Sequence, residues 1–86
     1  MRVYIPSPLR SYTDGASEVH ADGATLGAVL DDLDRQYPGI RFRMIDEQDE
    51  VRAHIKLFVG QELAPALAVP VDERDDVHII AALSGG

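Results

Sequence analysis

One stripe of apolar residues governs what this chain can fold into. Leu26, Val29, Leu30, Leu33 and Tyr37 recur at helical spacing and define a single buried face. Asp31, Asp32, Asp34 and Arg35 fall off that stripe and face water. Thr25 stands at the N-cap position, where its hydroxyl accepts from a free N–H of the first turn. Pro38-Gly39 stops the helix, because proline disfavours helix before it and glycine suits the exit. The spacing predicts a helix over 25–37. Such a helix must lay its stripe on another element, so the rest of the chain has to supply a surface.

The flanking segments alternate with period two, which supplies a sheet. In residues 2–5, Val3 and Ile5 point one way and Arg2 and Tyr4 the other, before Pro6 and Pro8 close the strand. The stretch Ser7 to Gly15 reads as a loop ending in the turn signal Asp14-Gly15. Residues 17–21 form a second strand, with Val19 inward and Glu18 and His20 outward, which completes a hairpin. Residues 41–53 read as a charged connector with Phe42 and Ile45 buried. In 54–59, Ile55, Leu57 and Val59 face the core while His54, Lys56 and Phe58 face out. Gly60-Gln61 turns the chain into the short strand Glu62-Leu63. Residues 64–75 read as a loop with two prolines. A last strand runs from Val77 to about Ala82, with Val77, Ile79 and Ala81 on one side and His78, Ile80 and Ala82 on the other.

This order predicts an α+β fold: a mixed sheet of four or five strands, the main helix packed on one face, and the first and last strands adjacent and parallel. Val3, Ile5, Leu26, Val29, Leu30, Leu33, Ile55, Leu57, Val77 and Ile79 form the expected core. The 86 residues suffice for one domain, read as 1–83, with 84–86 as a flexible tail. A domain of this size has a modest core and little room for a deep cleft.

The 15 Asp and Glu against 8 Lys and Arg give a net charge of −7. This balance argues against nucleic-acid partners, which need a positive footprint. It fits either docking on basic protein surfaces or solubility alone. The absence of cysteine excludes disulfides and thiolate metal sites. The N-terminus has no apolar run of the signal-peptide kind, and no stretch approaches the ~20 apolar residues of a membrane helix. The expected location is the cytoplasm, with no membrane partner.

The chain ends in Leu83-Ser84-Gly85-Gly86. Two glycines past a strand have no packing use and raise backbone entropy. From the dipeptide alone two readings stay open: incidental residues, or a tail slender enough to enter a narrow active site. The second has a chemical use. A terminal carboxylate becomes an electrophile once made into an acyl-adenylate, and a sulfur or amine nucleophile then takes the acyl group.

The element order, the Thr25-Leu26-x-x-Val29-Leu30-x-x-Leu33 helix, the Phe58-Val59-Gly60 hairpin, and Asp76-Val77-His78-Ile79-Ile80 running into Ser84-Gly85-Gly86 resemble the MoaD/ThiS family of sulfur carriers. Pro8-Leu9-Arg10 and the following Gly15 are similar to that family's first hairpin loop. Within the family, Thr25-Leu26-Gly27-Ala28-Val29, Asp32-Leu33, Tyr37, Gly39-Ile40 and the long connector look most like the carriers of cysteine biosynthesis. The resemblance implies a ubiquitin-like β-grasp fold. It implies that Gly86 is adenylated and converted to a thiocarboxylate, with Gly85 as its slender neighbour. The chain would then be a co-substrate and no enzyme. It would bind no cofactor itself, ATP and Mg²⁺ being used by a ThiF/MoeB-like adenylating enzyme. The sulfur would pass to a synthase of the cysteine, molybdopterin or thiamine type.

Phe58 and Ile80 sit on the face opposite the helix and close to the tail, where the family docks partners; His78, Leu83 and Ser84 complete the expected contact set. The competing reading packs Phe58 and Ile80 under the connector. His20, His54 and His78 all read as outward strand residues, so no metal site is expected. Asp31-Asp32 and Asp75-Asp76 read as a solvated helix face and a turn. Two rival functions remain: a protein modifier joined through Gly86 to lysines, and an interaction domain without tail chemistry.

Overall fold

The computed structural model describes residues 1–82. Five strands form one mixed sheet: β1 (Arg2–Tyr4), β2 (Glu18–His20), β3 (Ile55–Val59), β4 (Glu62–Leu63) and β5 (Val77–Ala81), in the order β2-β1-β5-β3-β4. The first and last strands are parallel neighbours, with Val3 opposite Val77 and Tyr4 opposite His78. All other pairings are antiparallel. This is the β-grasp arrangement that the sequence predicts.

Helix α1 (Leu26–Gln36) lays Leu26, Val29, Leu30 and Leu33 on one face of the sheet, all fully buried. Thr25 is its N-cap, accepting from the Ala28 N–H at 3.2 Å. The other N–H groups of the first turn find carbonyls on the 64–75 loop: Leu26 donates to Val69 and Gly27 to Leu67, both at 2.9 Å. Gly27 is the reason the loop comes so close. A Cβ there would stand 3.3 Å from both the carbonyl oxygen and the Cβ of Leu67. All ten predicted core residues are buried.

The structure corrects two segments. Ser7 to Thr13 is a 3₁₀ helix that buries Leu9 and Thr13, and it ends at Asp14 and Gly15, both with positive φ. The turn signal at Asp14-Gly15 was legible, but the helix before it was not. The connector also has a short helix, α2 (Ile40–Met44), capped by the Asp34 carboxylate, which accepts from the Gly39 and Arg41 N–H groups at 3.1 Å. Ile40, Met44 and Ile45 enter the core, as expected only for Ile45. Phe42 does not. It is 56% exposed, with the Arg52 guanidinium 4.6 Å above its ring. In α2, Ile40 and Met44 share the inward face at i, i+4 spacing, which turns Phe42 to solvent.

Candidate functional site

The sheet face opposite α1 is built by register. Directly paired residues on neighbouring strands share a face. Glu18 pairs with Tyr4, Tyr4 with His78, His78 with Phe58, and Phe58 with Leu63. One continuous row therefore crosses all five strands. The Tyr4 and His78 rings stack with centroids 4.6 Å apart and planes 11° from parallel. Two residues further along β5, Ile80 pairs with Lys56 on the same face. Ile80 is 48% exposed and Leu63 is 54% exposed. Three apolar side chains thus continue the face beyond the aromatic stack, on β5, β3 and β4.

Of the residues singled out from sequence, Phe58, His78 and Ile80 meet here. Phe58 is half-buried on the face opposite the core, and Ile80 stands in the open. Packing beneath the connector is not what holds them, since the connector sends Ile40, Met44 and Ile45 into the core on the other side of the sheet. Leu83, Ser84, Gly85 and Gly86 lie outside the described residues. Their approach is visible, because the Ala82 N–H donates to the His54 carbonyl at 2.8 Å and carries the β3–β5 ladder to the last described residue. Sequence reading missed Tyr4 and Leu63 as members of the row. Alternation placed Tyr4 outward, but only the parallel β1–β5 pairing sets it against His78.

Electrostatic detail on this face comes from Arg2. Its guanidinium lies 3.8 Å from the Glu18 carboxylate. Tyr4 foremost, then the carboxylates of Glu18 and Asp76, raise the Arg2 pKa. The three histidines do not converge. His20 is on β2, His54 precedes β3 and His78 is central on β5. Among the described residues no group of three or more His, Asp or Glu side chains is placed to hold a metal ion. Nor is any helix among them long and apolar enough to cross a membrane. Beside the tail root lies a shallow groove of about 340 Å³, lined by Tyr4, Pro6, Arg10, His78 and Ile80 among others. The described part of the site is thus an open, partly apolar sheet face with a shallow groove at its edge.

A family model described as the ThiS family matches residues 3–86. The chain belongs to the ThiS family. It is 37% identical to the sulfur carrier protein CysO of Mycobacterium tuberculosis, over 98% of this chain and 96% of that protein. It is 34% identical to small archaeal modifier protein 3 of Haloferax volcanii, over 76% of this chain and 73% of that one. Among solved structures, a chain of the crystal structure of the Amycolatopsis orientalis BexX/CysO complex matches this ThiS-family chain with a TM-score of 0.90. That match has 32% identity and covers 99% of this chain and 98% of the other. The ubiquitin-like fold and the sulfur-carrier kinship are therefore established together.

Proposed function

We propose that this protein is a sulfur carrier whose Gly86 bears the sulfur as a thiocarboxylate. The observation that carries the reading is the ThiS-family match, which runs from β1 through the Gly-Gly residues. Similarity to CysO over nearly the whole of both chains supports a supply of sulfur to cysteine synthesis.

In the proposed sequence a ThiF/MoeB-like enzyme binds ATP and Mg²⁺. The Gly86 carboxylate attacks the α-phosphorus and pyrophosphate leaves, giving an acyl-adenylate. A sulfide-level nucleophile then displaces AMP and leaves the C–S bond. In a sulfur-accepting synthase the thiocarboxylate sulfur attacks an electrophilic carbon of the acceptor substrate, and water then cleaves the Gly86 C–S bond, leaving the sulfur on the acceptor and returning the carboxylate. That a CysO chain is crystallised with BexX supports a partner of this kind. The carrier contributes the electrophile, a narrow tail and a docking face, with Phe58, His78 and Ile80 continued by Leu83 and Ser84 as the contact set. Acid–base groups belong to its partners, so the protein acts as a co-substrate and no enzyme, and the reading places it in the cytoplasm.

The likeness to the archaeal modifier favours a second reading, in which the same adenylate is captured by a lysine amine. Intact-mass analysis of the protein from its native host separates the two. A mass increase of one oxygen-to-sulfur exchange at Gly86 supports the carrier. An isopeptide to a target lysine supports the modifier. An unmodified carboxylate that no adenylating enzyme activates removes both.

A further inference from the structure

The net charge of −7 suggests basic partners, yet the structure distributes that charge unevenly. Of the eight Lys and Arg residues, four are matched to carboxylates: Arg2 with Glu18, Arg35 with Asp32, Arg41 with Asp31 and Asp49, and Arg74 with Asp72. The other four, Arg10, Arg43, Arg52 and Lys56, have no carboxylate within ion-pair distance among the described residues. The three arginines hydrogen-bond to neutral acceptors instead. Arg10 Nε donates to the Ile5 carbonyl at 3.0 Å, Arg43 Nε to the Tyr12 hydroxyl at 2.6 Å and Arg52 Nε to the Phe42 carbonyl at 2.8 Å. In a protein with fifteen carboxylates, this absence of counter-charge is a feature of place.

The place is the end of the sheet from which the tail departs. Arg10 lines the groove that includes Ile80 and Ala81. Lys56 is exposed opposite Ile80. Arg43 and Arg52 share a shallow depression with Phe42 and His54, and His54 is the residue that holds Ala82. The opposite end of the sheet is acidic. Asp22 follows β2, Asp76 precedes β5, and Glu62 and Asp75 flank the β3–β4 turn at Gly60. Glu18 is the one carboxylate lining the Arg10 groove, and it is turned to Arg2. The unmatched cations thus gather at the end of the sheet where β5 runs out, with Asp14 and the carboxylates of the 46–50 turn at the margins of that cluster.

We propose that the partner site receiving the tail is ringed by an acidic polypeptide segment, which the collar of Arg10, Arg52, Lys56 and His54 engages. The cations come from the 3₁₀ helix, the segment before β3 and β3 itself, and being spread over separate elements they fit a protein surface better than one compact anion. Such a collar steers the carrier tail-first and turns its acidic end away. This proposal rests on the carrier reading for there being a tail-receiving site.

The first arm of its test, peptide binding, needs no tail chemistry, so the collar can fail there while the carrier reading stands. The ¹⁵N-labelled protein is titrated with hexaglutamate, hexalysine and inorganic phosphate at low ionic strength. Hexaglutamate is expected to shift the amides of Arg10, Arg52, His54, Lys56 and Ala81 saturably, and hexalysine those of 31–34, 46–50 and 72–76. Lys56→Glu, at an exposed residue with no polar contact among the described residues, should weaken the hexaglutamate response. In thiolation by an enzyme that accepts the wild type, the same variant should be slower by about tenfold at low salt and converge with wild type at high salt. No saturable response at the collar overturns the proposal, as does phosphate shifting the same amides more strongly than hexaglutamate. A Lys56→Glu rate equal to wild type at low salt also overturns it.

Discussion

His78 lies flat on Tyr4, their ring centroids 4.6 Å apart, and this stack is the centre of the sheet's open face. It joins the first strand to the last and fixes the surface on which Phe58, Leu63 and Ile80 are presented. Aromatic pairs of this geometry hold their positions without occupying their outer faces. The stack therefore orders the open face from within the sheet itself.

Replacing Phe58 and Ile80 together by Asp tests that face. Neither belongs to the core cluster, so the fold should persist by circular dichroism. Binding to an adenylating enzyme should fall by roughly thirtyfold or more, the loss of about 2 kcal/mol that a central apolar anchor represents. A folded double variant that binds as wild type would place the interface elsewhere.

Tail substitutions should separate chemistry from stability. Gly85→Val should strongly slow thiolation, because a β-branched side chain is stiff and wide where the chain must thread. Extending the chain beyond Gly86, in a form that is not trimmed, should abolish it, because a peptide carbonyl cannot be adenylated. Denaturation midpoints should stay close to wild type in both cases, since termini contribute little unless tied down. Sulfur transfer by the intact extended protein would exclude the thiocarboxylate mechanism.

Leu30→Ala removes a fully buried side chain from the face of α1 that meets the sheet. The expected cost is about 2–5 kcal/mol, read as a lower denaturant midpoint. A much smaller cost would mean that the sheet and helix close the cavity.

Asp32 gives an acid-dependent prediction. The Arg35 guanidinium donates to it at 2.7 Å, and the Asp22 and Gln36 N–H groups add further bonds. These bonds, the one from Arg35 foremost, hold its pKa below the ordinary 3.8. A carboxylate with a depressed folded-state pKa adds stability that is complete above its unfolded value and disappears as pH falls through the folded one. Asp32→Asn should therefore lower the denaturation midpoint at neutral pH, and the gap should close as the solution is acidified below 3.8. A gap that persists unchanged into strong acid would trace the effect to shape instead of charge.

What the sequence determined by itself was whatever repeats along the chain. The Leu26–Leu33 stripe and its Thr25 cap mark α1, because one helix face needs several turns of apolar residues. Alternation marks β1, β2, β3 and β5, and the parallel β1–β5 pairing follows from the order of elements. The ThiS-family kinship was readable in the same residues. Short elements were not. Helix α2 has five residues, too few for its period to show, so Ile40 and Met44 went unseen and Phe42 was wrongly placed inside. Other features arise only when distant segments meet. Gly23 has no obvious signal in the sequence, yet a Cβ there would stand 2.6 Å from the Val29 backbone nitrogen. The five-residue row from Glu18 to Leu63 and the collar of unmatched cations draw on residues that are far apart in the chain. Tertiary structure decided these because register, which sets the neighbours across a sheet, is fixed only when the helix and the sheet close on one core.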